Sequence, residues 1–423
     1  MMTQAFYTGI SGIMANQSAI DITSDNMANI STNGFRAYNA EFAPLFEKAL
    51  STATNRSSVD SSFGAGTRVN ATTMNGLNGS LFLSDKSTDL AIQGDGWFGI
   101  QGNGDTLYTR DGNFSFDVND DLVTTDGFYV LGTMGGNISG TSVDATLTSV
   151  LNEIQLGEAN AQTKLEFPKF LTYPPEPTTS AQFFANIGVG TDPVSVGAGV
   201  IDPNGVKNNL RIIFTQKAVQ TPPGSQWDAV ATVSSLDGST LYDTQVGEVN
   251  FGPSGDLIST TLSTINNNGQ TVTMDLGSEY SGIVSINRPY QAGSSIADGT
   301  IGGDLAGYAI NANGEVVATF TNGKQSSVGK IAVYHFQNDQ GLDRISGTRF
   351  ASSSNSGDPI FYKDASGNNI IGTDLMNYKL EGSNVQMSSA LTELIIFQRA
   401  YDANSKSITT ADQMIQKALN MHK

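Results

Sequence analysis

The chain has 423 residues, too many for one ordinary compact domain, so two or three are expected. It carries 22 Lys+Arg against 40 Asp+Glu, a formal net charge of −18, which argues against nucleic acid, because such a binder needs a basic face to displace counterions. Cysteine is absent and only His335 and His422 are present, so disulfides, thiolate metal sites and Cys nucleophiles are excluded; an enzyme here would have to work with carboxylates, Lys or Tyr.

No run of about 18 apolar residues exists, so no membrane insertion is expected. The start, MMTQAFYTGISGIMANQS, has no Lys or Arg before Arg36 and is amphipathic, unlike a secretory signal. Export, if it occurs, is expected by a route that cleaves no conventional signal.

From about Thr3 to Ser31 the pattern predicts a helix. Phe6, Ile10, Ile13, Ile20 and Met27 recur at steps of three and four, with Gln17 and Ser24 filling the gaps. That is a coiled-coil-like stripe, and Asn33-Gly34 is its expected end. Residues 34–75 have little periodicity and read as an extended linker. Short β-rich runs follow at Asp89–Ile92, Trp97–Ile100, Phe114–Phe116, Phe128–Leu131 and Lys330–Phe336. Asp-Gly or Asn-Gly pairs at 95-96, 111-112, 126-127 and 313-314 separate them, as hairpin turns do. A second β-rich block occupies about 150–295, with stiff loops at Tyr173–Pro177 and Gln220–Gly224. From Gly382 to Met421 a second helix is predicted, with the stripe Met387, Leu391, Leu394, Gln398, Tyr401, Ser405, Ile408, Asp412, Ile415 and Leu419.

The polar members Gln17, Ser24, Gln398, Ser405 and Asp412 have two readings: solvent exposure at the edge of the stripe, or register-setting positions between packed helices. Neither terminal helix has an obvious partner in the β body. Each stripe must then be covered by the other helix or by neighbouring chains, since exposed apolar stripes are sticky.

Three motifs of the interior read as structure rather than chemistry. Gly94-Asp95-Gly96-Trp97-Phe98-Gly99 spells a dinucleotide fingerprint, but strand and turn text follows it where a helix is needed. Asp117, Asn119 and Asp121 have calcium-loop spacing, but Leu122 and Phe128 stand where Gly and Glu belong. His335 lies in a β run and reads as a strand residue. No catalytic, cofactor-binding or metal-ligating residue is therefore assigned, although 40 acids leave paired carboxylates open.

Ile22-Thr23-Ser24-Asp25-Asn26-Met27-Ala28-Asn29-Ile30-Ser31-Thr32-Asn33-Gly34-Phe35-Arg36 resembles the N-terminal signature of the bacterial flagellar rod–hook axial family. Ser383–Met387, Phe397–Lys406 and Thr409–Met414 resemble its C-terminal signature. DLAIQGDGWFGIQ, YTRDGNFSFD, LVTTDGFYVLG and the stretch from Tyr308 to Leu342 resemble its first β domain, as does SSNSGDPIF. Ile22-Thr23, Asp25-Asn26 and Trp97 depart from the usual pattern while keeping the size or polarity of each site.

The resemblance implies an α+β chain, mainly β, with two antiparallel β domains in series. The terminal helices would form a coiled-coil-like inner layer from residues 1–33 plus 381–423. Residues 34–75 would be the linker, 76–145 plus 296–380 the first β domain, and 146–295 an inserted outer β domain with VNFGPSGDL as a strand–turn element. Length and insert resemble the hook members of the family more than its shorter rod members. The implied function is non-catalytic: self-assembly into a curved tube that transmits torque while bending. The implied partners are further copies, the distal rod, the hook cap, the hook–filament junction proteins and the flagellar export apparatus. No cofactor is implied. The implied location is the extracellular hook of a flagellum. A distal rod subunit and an extracellular carboxylate hydrolase are the competing readings.

Overall fold

The computed structural model describes residues 2–45, 66–102, 104–139, 144–147 and 154–421. The middle of the expected linker, 46–65, and His422 lie outside the described residues.

The chain begins with helix α1 (Met2–Ala28) and ends with helix α2 (Met387–Asn420), which pack against each other. Helix α1 stops earlier than the Asn33-Gly34 pair. Asn29 turns its side chain back onto the Asp25 carbonyl at 2.8 Å, and a series of turns carries the chain to Gly34. Gly34 has φ +67°, and a Cβ there would lie 2.4 Å from the Asp111 backbone nitrogen, so glycine is required on both counts.

The expected linker contains two strands, β1 (Tyr38–Pro44) and β2 (Thr67–Met74), paired antiparallel with a register shift between Glu41 and Phe42. This hairpin packs on α1, and Phe42 reaches Phe397 of α2 with ring centroids 5.8 Å apart. Its alternation escaped the sequence reading because the half-buried positions carry mostly Ala, Thr and Val rather than large apolar side chains. Asn26 fixes the entry to β1: its side chain donates to the Tyr38 carbonyl at 2.7 Å and accepts from the Tyr38 amide at 2.9 Å.

Beyond the hairpin lies a mostly antiparallel β body. Its main sheet runs in the order 138–139, 144–147, 170–173, 303–310, 315–320, 325–331, 129–134, 97–102, 105–109, 349–351 and 343–346. The expected strand Phe114–Phe116 is present, and Asp126-Gly127 and Asn313-Gly314 do close hairpins. The pairs at 95-96 and 111-112 do not, because the strands flanking each of them pair elsewhere. The core includes Leu90, Phe98, Phe114, Val130, Val316 and Ile331, with a second aromatic cluster around Trp97, Tyr108, Tyr334 and Phe350.

The structure corrects the start of the inserted block. Leu147, Leu165, Phe167, Leu171 and Tyr173 belong to the core of the body, and strand 170–173 pairs with strand 303–310. The chain leaves the body at Glu176 and returns at Thr300, where their backbones exchange two hydrogen bonds of 2.9 Å. Between these points a separate core, including Phe183, Phe214, Trp227 and Phe251, fills a five-stranded antiparallel sheet backed by smaller sheets. The VNFGPSGDL element is there as expected: a strand ending at Phe251, then a turn in which Gly252 donates to the Asp256 carbonyl at 2.8 Å.

A candidate assembly surface and the junction beneath it

The α1 side of the seam between the two helices is built from small residues. In α1 the buried column is Gly9, Gly12, Asn16, Ala19, Thr23 and Asn26, again at steps of three and four. A Cβ on Gly9 would lie 2.7 Å from Ile408, and one on Gly12 would lie 2.6 Å from Asn404. The glycines thus let α2 approach more closely than any other residue would allow. Two polar members are satisfied within the helix, Asn16 donating to the Gly12 carbonyl at 2.7 Å and Thr23 to the Ala19 carbonyl at 2.9 Å, and Asn26 is satisfied by the Tyr38 backbone.

In α2 the less exposed column is Ala390, Leu394, Phe397, Tyr401, Asn404, Ile408, Ala411 and Ile415. Four of the expected stripe residues, Leu394, Tyr401, Ile408 and Ile415, lie on it. Four more are displaced by one residue: the seam uses 390, 397, 404 and 411 where the sequence pattern marks 391, 398, 405 and 412; Met387 and Leu419 lie off it. Gln398 and Asp412 are consequently exposed, Asp412 accepting from Gln416 at 2.8 Å, and Ser405 is half-buried. In α1, Gln17 is exposed and donates to Asp21 at 3.1 Å, and Ser24 is exposed. Within one chain these five polar residues therefore do not set the register of the pair. Apolar periodicity finds large side chains, and the intrachain seam of α1 is made of small ones.

The large side chains stay at the edge or in solvent. Phe6, Ile13, Ile20 and Met27 are half-buried; Ile10, Met387, Leu391 and Leu419 are exposed. Tyr7, Met14, Ile395, Ile396 and Met414 join them, each at least 50% exposed. Large apolar side chains exposed together on two packed helices make this face the candidate assembly surface.

Beneath the helices the two chain ends meet the body at a buried ionic cluster. Arg36, which follows α1, lies 3.2 Å from Glu381, which precedes α2; Arg110 of the body approaches the other Glu381 oxygen at 3.3 Å. All three side chains are at most 4% exposed. Asn78 ties the arginines together, accepting from Arg36 at 3.0 Å and Arg110 at 2.6 Å. Further donors go to the carbonyls of Leu77, Gly94 and Gly96, and Glu381 also accepts from the Gly79 amide at 2.8 Å. Burial lowers both guanidinium pKa values, Arg110 to about 10, against the pull of Glu381. Asn384 completes the junction, accepting from the Ala37 amide at 2.7 Å and donating to the carbonyls of Asn75 and Leu77. None of these residues was singled out from sequence. The one visible signal is Arg36, the single cation of the motif that it closes.

The remaining motifs have structural roles. Gly94–Gly99 leads into a strand, not a helix, and a Cβ on Gly99 would strike Tyr334 at 2.2 Å. Asp117 folds onto its own turn, accepting from the amides of Asn119 at 2.7 Å and Asp121 at 3.0 Å. His335 is buried, bonded through Nε2 to the Ile371 carbonyl at 2.7 Å and stacked on Tyr362; burial lowers its pKa. A cleft of about 320 Å³ in the inserted unit carries a single carboxylate, Asp275, beside Gln182, Ser278 and Ser281, which is no glycosidase pair. Among the described residues no cluster of three or more His, Asp or Glu could hold a metal, and no helix is long and apolar enough to cross a membrane.

Three family models match the chain. Residues 6–36 match the flagella basal body rod protein, residues 91–163 the flagellar hook protein FlgE/F/G D1 domain, and residues 376–421 the flagellar basal body rod FlgEFG protein C-terminal. The flagellar hook protein FlgE of Borreliella burgdorferi is 27% identical over 449 aligned positions, covering 99% of this chain and all of that protein. Those of Salmonella typhimurium and Escherichia coli are each 26% identical, covering 99% of this chain and all of theirs. The crystal structure of Helicobacter pylori flagellar hook protein FlgE2 superposes with a TM-score of 0.47 at 16% identity, covering 71% of this chain and all of that one. That likeness is too distant to support an argument.

Proposed function

We infer that this chain, a member of the flagellar rod–hook axial family, is the structural subunit of a bacterial flagellar hook, a self-assembling tube that passes torque from rod to filament. One observation carries the inference: the likeness to hook subunits runs from end to end, inserted unit included. A rod-subunit reading leaves the inserted unit unaccounted for. The hydrolase reading finds no support in the two cavities described: the larger carries one carboxylate, and Asp95 and Asp339 line a space of about 20 Å³, too small for a sugar.

The terminal helices supply the assembly surface, with Phe6, Ile10, Ile13, Ile20, Met27, Met387, Leu391, Leu394, Tyr401, Ile408, Ile415 and Leu419 as its apolar members. Gln17, Ser24, Gln398, Ser405 and Asp412 stand beside them, free to set register between copies. Burying an exposed Ile contributes about 1.5–3 kcal/mol, repeated at every subunit. Contacts between successive copies are heterologous and generate a helical tube rather than a closed ring. The β body and inserted unit present polar surfaces with few charges, suited to wet contacts that re-form as the tube turns. Rod, cap, junction and export components are the further partners this role requires.

Ile10→Asp and Ile396→Asp test the reading, because both side chains are about half exposed in the single chain and neither change should unfold it. Each variant should keep the helical circular dichroism of the dispersed chain and form no tubes by electron microscopy. Wild-type-like tubes would remove the helices from the assembly surface, and straight short rods from the unmodified chain would turn the assignment toward the rod.

A further inference from the structure

Among the Asn-Gly pairs of the chain, Asn78-Gly79 is set apart by its surroundings. The Asn78 side-chain oxygen accepts from Arg36 Nη2 at 3.0 Å and from Arg110 Nη2 at 2.6 Å. Both arginine side chains are at most 4% exposed. Two desolvated guanidinium groups thus polarise that carbonyl and face the atom on which negative charge would gather during attack at Cγ. The Gly79 amide, the nitrogen next in the chain, donates to Glu381 Oε1 at 2.8 Å, so a carboxylate stands ready to take its proton. A Cβ on residue 79 would lie 1.9 Å from the Gly382 carbonyl oxygen, so the position requires glycine, which is also the least hindered nucleophile. Asn78 as a whole is exposed, which gives water a path to it. The other pairs differ. In Asn204-Gly205 and Asn313-Gly314 the glycine amides donate to the uncharged backbone carbonyls of Asp202 at 2.9 Å and Asn311 at 3.1 Å.

We propose that Asn78-Gly79 is a self-modifying site, where the Gly79 nitrogen closes on Asn78 Cγ to form a succinimide that water opens to a carboxylate. The Gly79 nitrogen bonds to Cγ while Glu381 Oε1 takes its proton. Negative charge gathers on Oδ1 between the two guanidinium groups. The Cγ–Nδ2 bond then breaks, and that nitrogen leaves as ammonia with the proton removed from Gly79. Water adds to one of the two ring carbonyls, giving aspartate or isoaspartate at position 78; no other reactant is consumed. The aspartate product presents Arg36 and Arg110 with a second carboxylate beside Glu381, so the modification ties both chain ends more firmly to the body. The inference rests on contacts inside one chain, whatever that chain assembles into.

The test compares the full chain folded and dispersed with the same chain unfolded in guanidinium chloride, both near neutral pH. Peptide mapping by mass spectrometry reads the amide-to-acid mass gain at each Asn-Gly pair over time, and isoaspartyl methyltransferase labelling identifies the isoaspartate product. A positioned base contributes roughly 10²–10⁴-fold, and the held backbone subtracts from that, so Asn78 should convert at least about tenfold faster folded than unfolded. Asn204 and Asn313 should convert more slowly folded than unfolded. A folded rate at Asn78 no higher than its unfolded rate overturns the proposal. Glu381→Gln should remove the folded-state acceleration at Asn78. Asn33 reports whether the junction survives that change, because the Gly34 amide donates to the Glu381 backbone carbonyl at 2.8 Å. An Asn78 rate unchanged in Glu381→Gln, with Asn33 still slow, also overturns the proposal; should Asn33 accelerate, the comparison in the unmodified chain decides.

Discussion

Glu381→Gln isolates the ionic junction. The substitution keeps shape and a carbonyl acceptor but removes the carboxylate in direct ion-pair contact with both Arg36 and Arg110. Both guanidinium groups remain buried, at 4% and 2% exposed, and neither can shed its proton near neutral pH. Breaking one buried pair from one side costs about 3–5 kcal/mol, mostly the uncompensated charge left behind. Two arginines share Glu381, so the upper part of that range is expected, a large fraction of the stability of a whole domain. The assay is denaturant unfolding of the chain labelled with fluorotryptophan. Trp97 sits at the junction, the Arg110 guanidinium 5.8 Å from its ring centroid, and Trp227 lies in the core of the inserted unit. The Trp97 transition should move to lower denaturant and the Trp227 transition should stay. High salt should rescue little, because the pair is out of reach of screening. A loss below about 1 kcal/mol, or recovery in high salt, refutes the reasoning that this cluster is a dry anchor of both chain ends.

Two further outcomes follow from the same geometry. Burial, with the charges of Asp126 and Asp89, raises the Asp111 pKa from 3.8 to about 6 against the Asn113 amide. The folded chain therefore keeps a proton there that the unfolded chain has lost, and the stabilising contribution present below pH 3.8 vanishes as pH rises through about 6. Asp111→Asn should gain about 1–2 kcal/mol at pH 7.5 and little at pH 4, read by denaturant midpoints; no gain at pH 7.5 contradicts the burial argument. Excision of residues 177–299, with a short glycine joint between Glu176 and Thr300, should leave a folded body that keeps its Trp97 signal, because those two backbones already exchange paired hydrogen bonds. Loss of that signal would place the boundary of the inserted unit elsewhere.

What could be read from the sequence depended on the range of each interaction. The terminal helices, the Phe114–Phe116 strand and the Asn313-Gly314 hairpin are local, so periodicity and turn chemistry reveal them. The pairing of Arg36 with Glu381 joins opposite ends of the chain, and no local pattern announces it. The β1–β2 hairpin was hidden by small side chains. The inserted unit was started too early because Leu165, Phe167, Leu171 and Tyr173 form an apolar, β-rich run that fits either core; only their packing assigns them to the body. The stripe of large side chains and the intrachain seam fall on different columns, one residue apart at four positions of α2 and on another face of α1, so the periodicity does not locate the intrachain contact.

That mismatch has a physical consequence. Each helical glycine costs about 1 kcal/mol relative to alanine, so Gly9 and Gly12 weaken α1 on its own. The α1 side of the seam, made of Gly, Ala, Asn and Thr, contributes little apolar area, so the burial within the pair comes mainly from the α2 side. The residues able to contribute most, Ile10, Met14, Ile395, Ile396 and Met414, make their gain only when another surface covers them. The intrachain seam thus fixes how close the two helices lie, and the stabilisation of the helical layer is left to neighbouring copies. A chain built this way holds its β body together through apolar cores and a buried ionic anchor, while its ends form a helix pair whose large side chains stay uncovered. In the proposed assembly, neighbouring copies add burial to a pair that the single chain already forms.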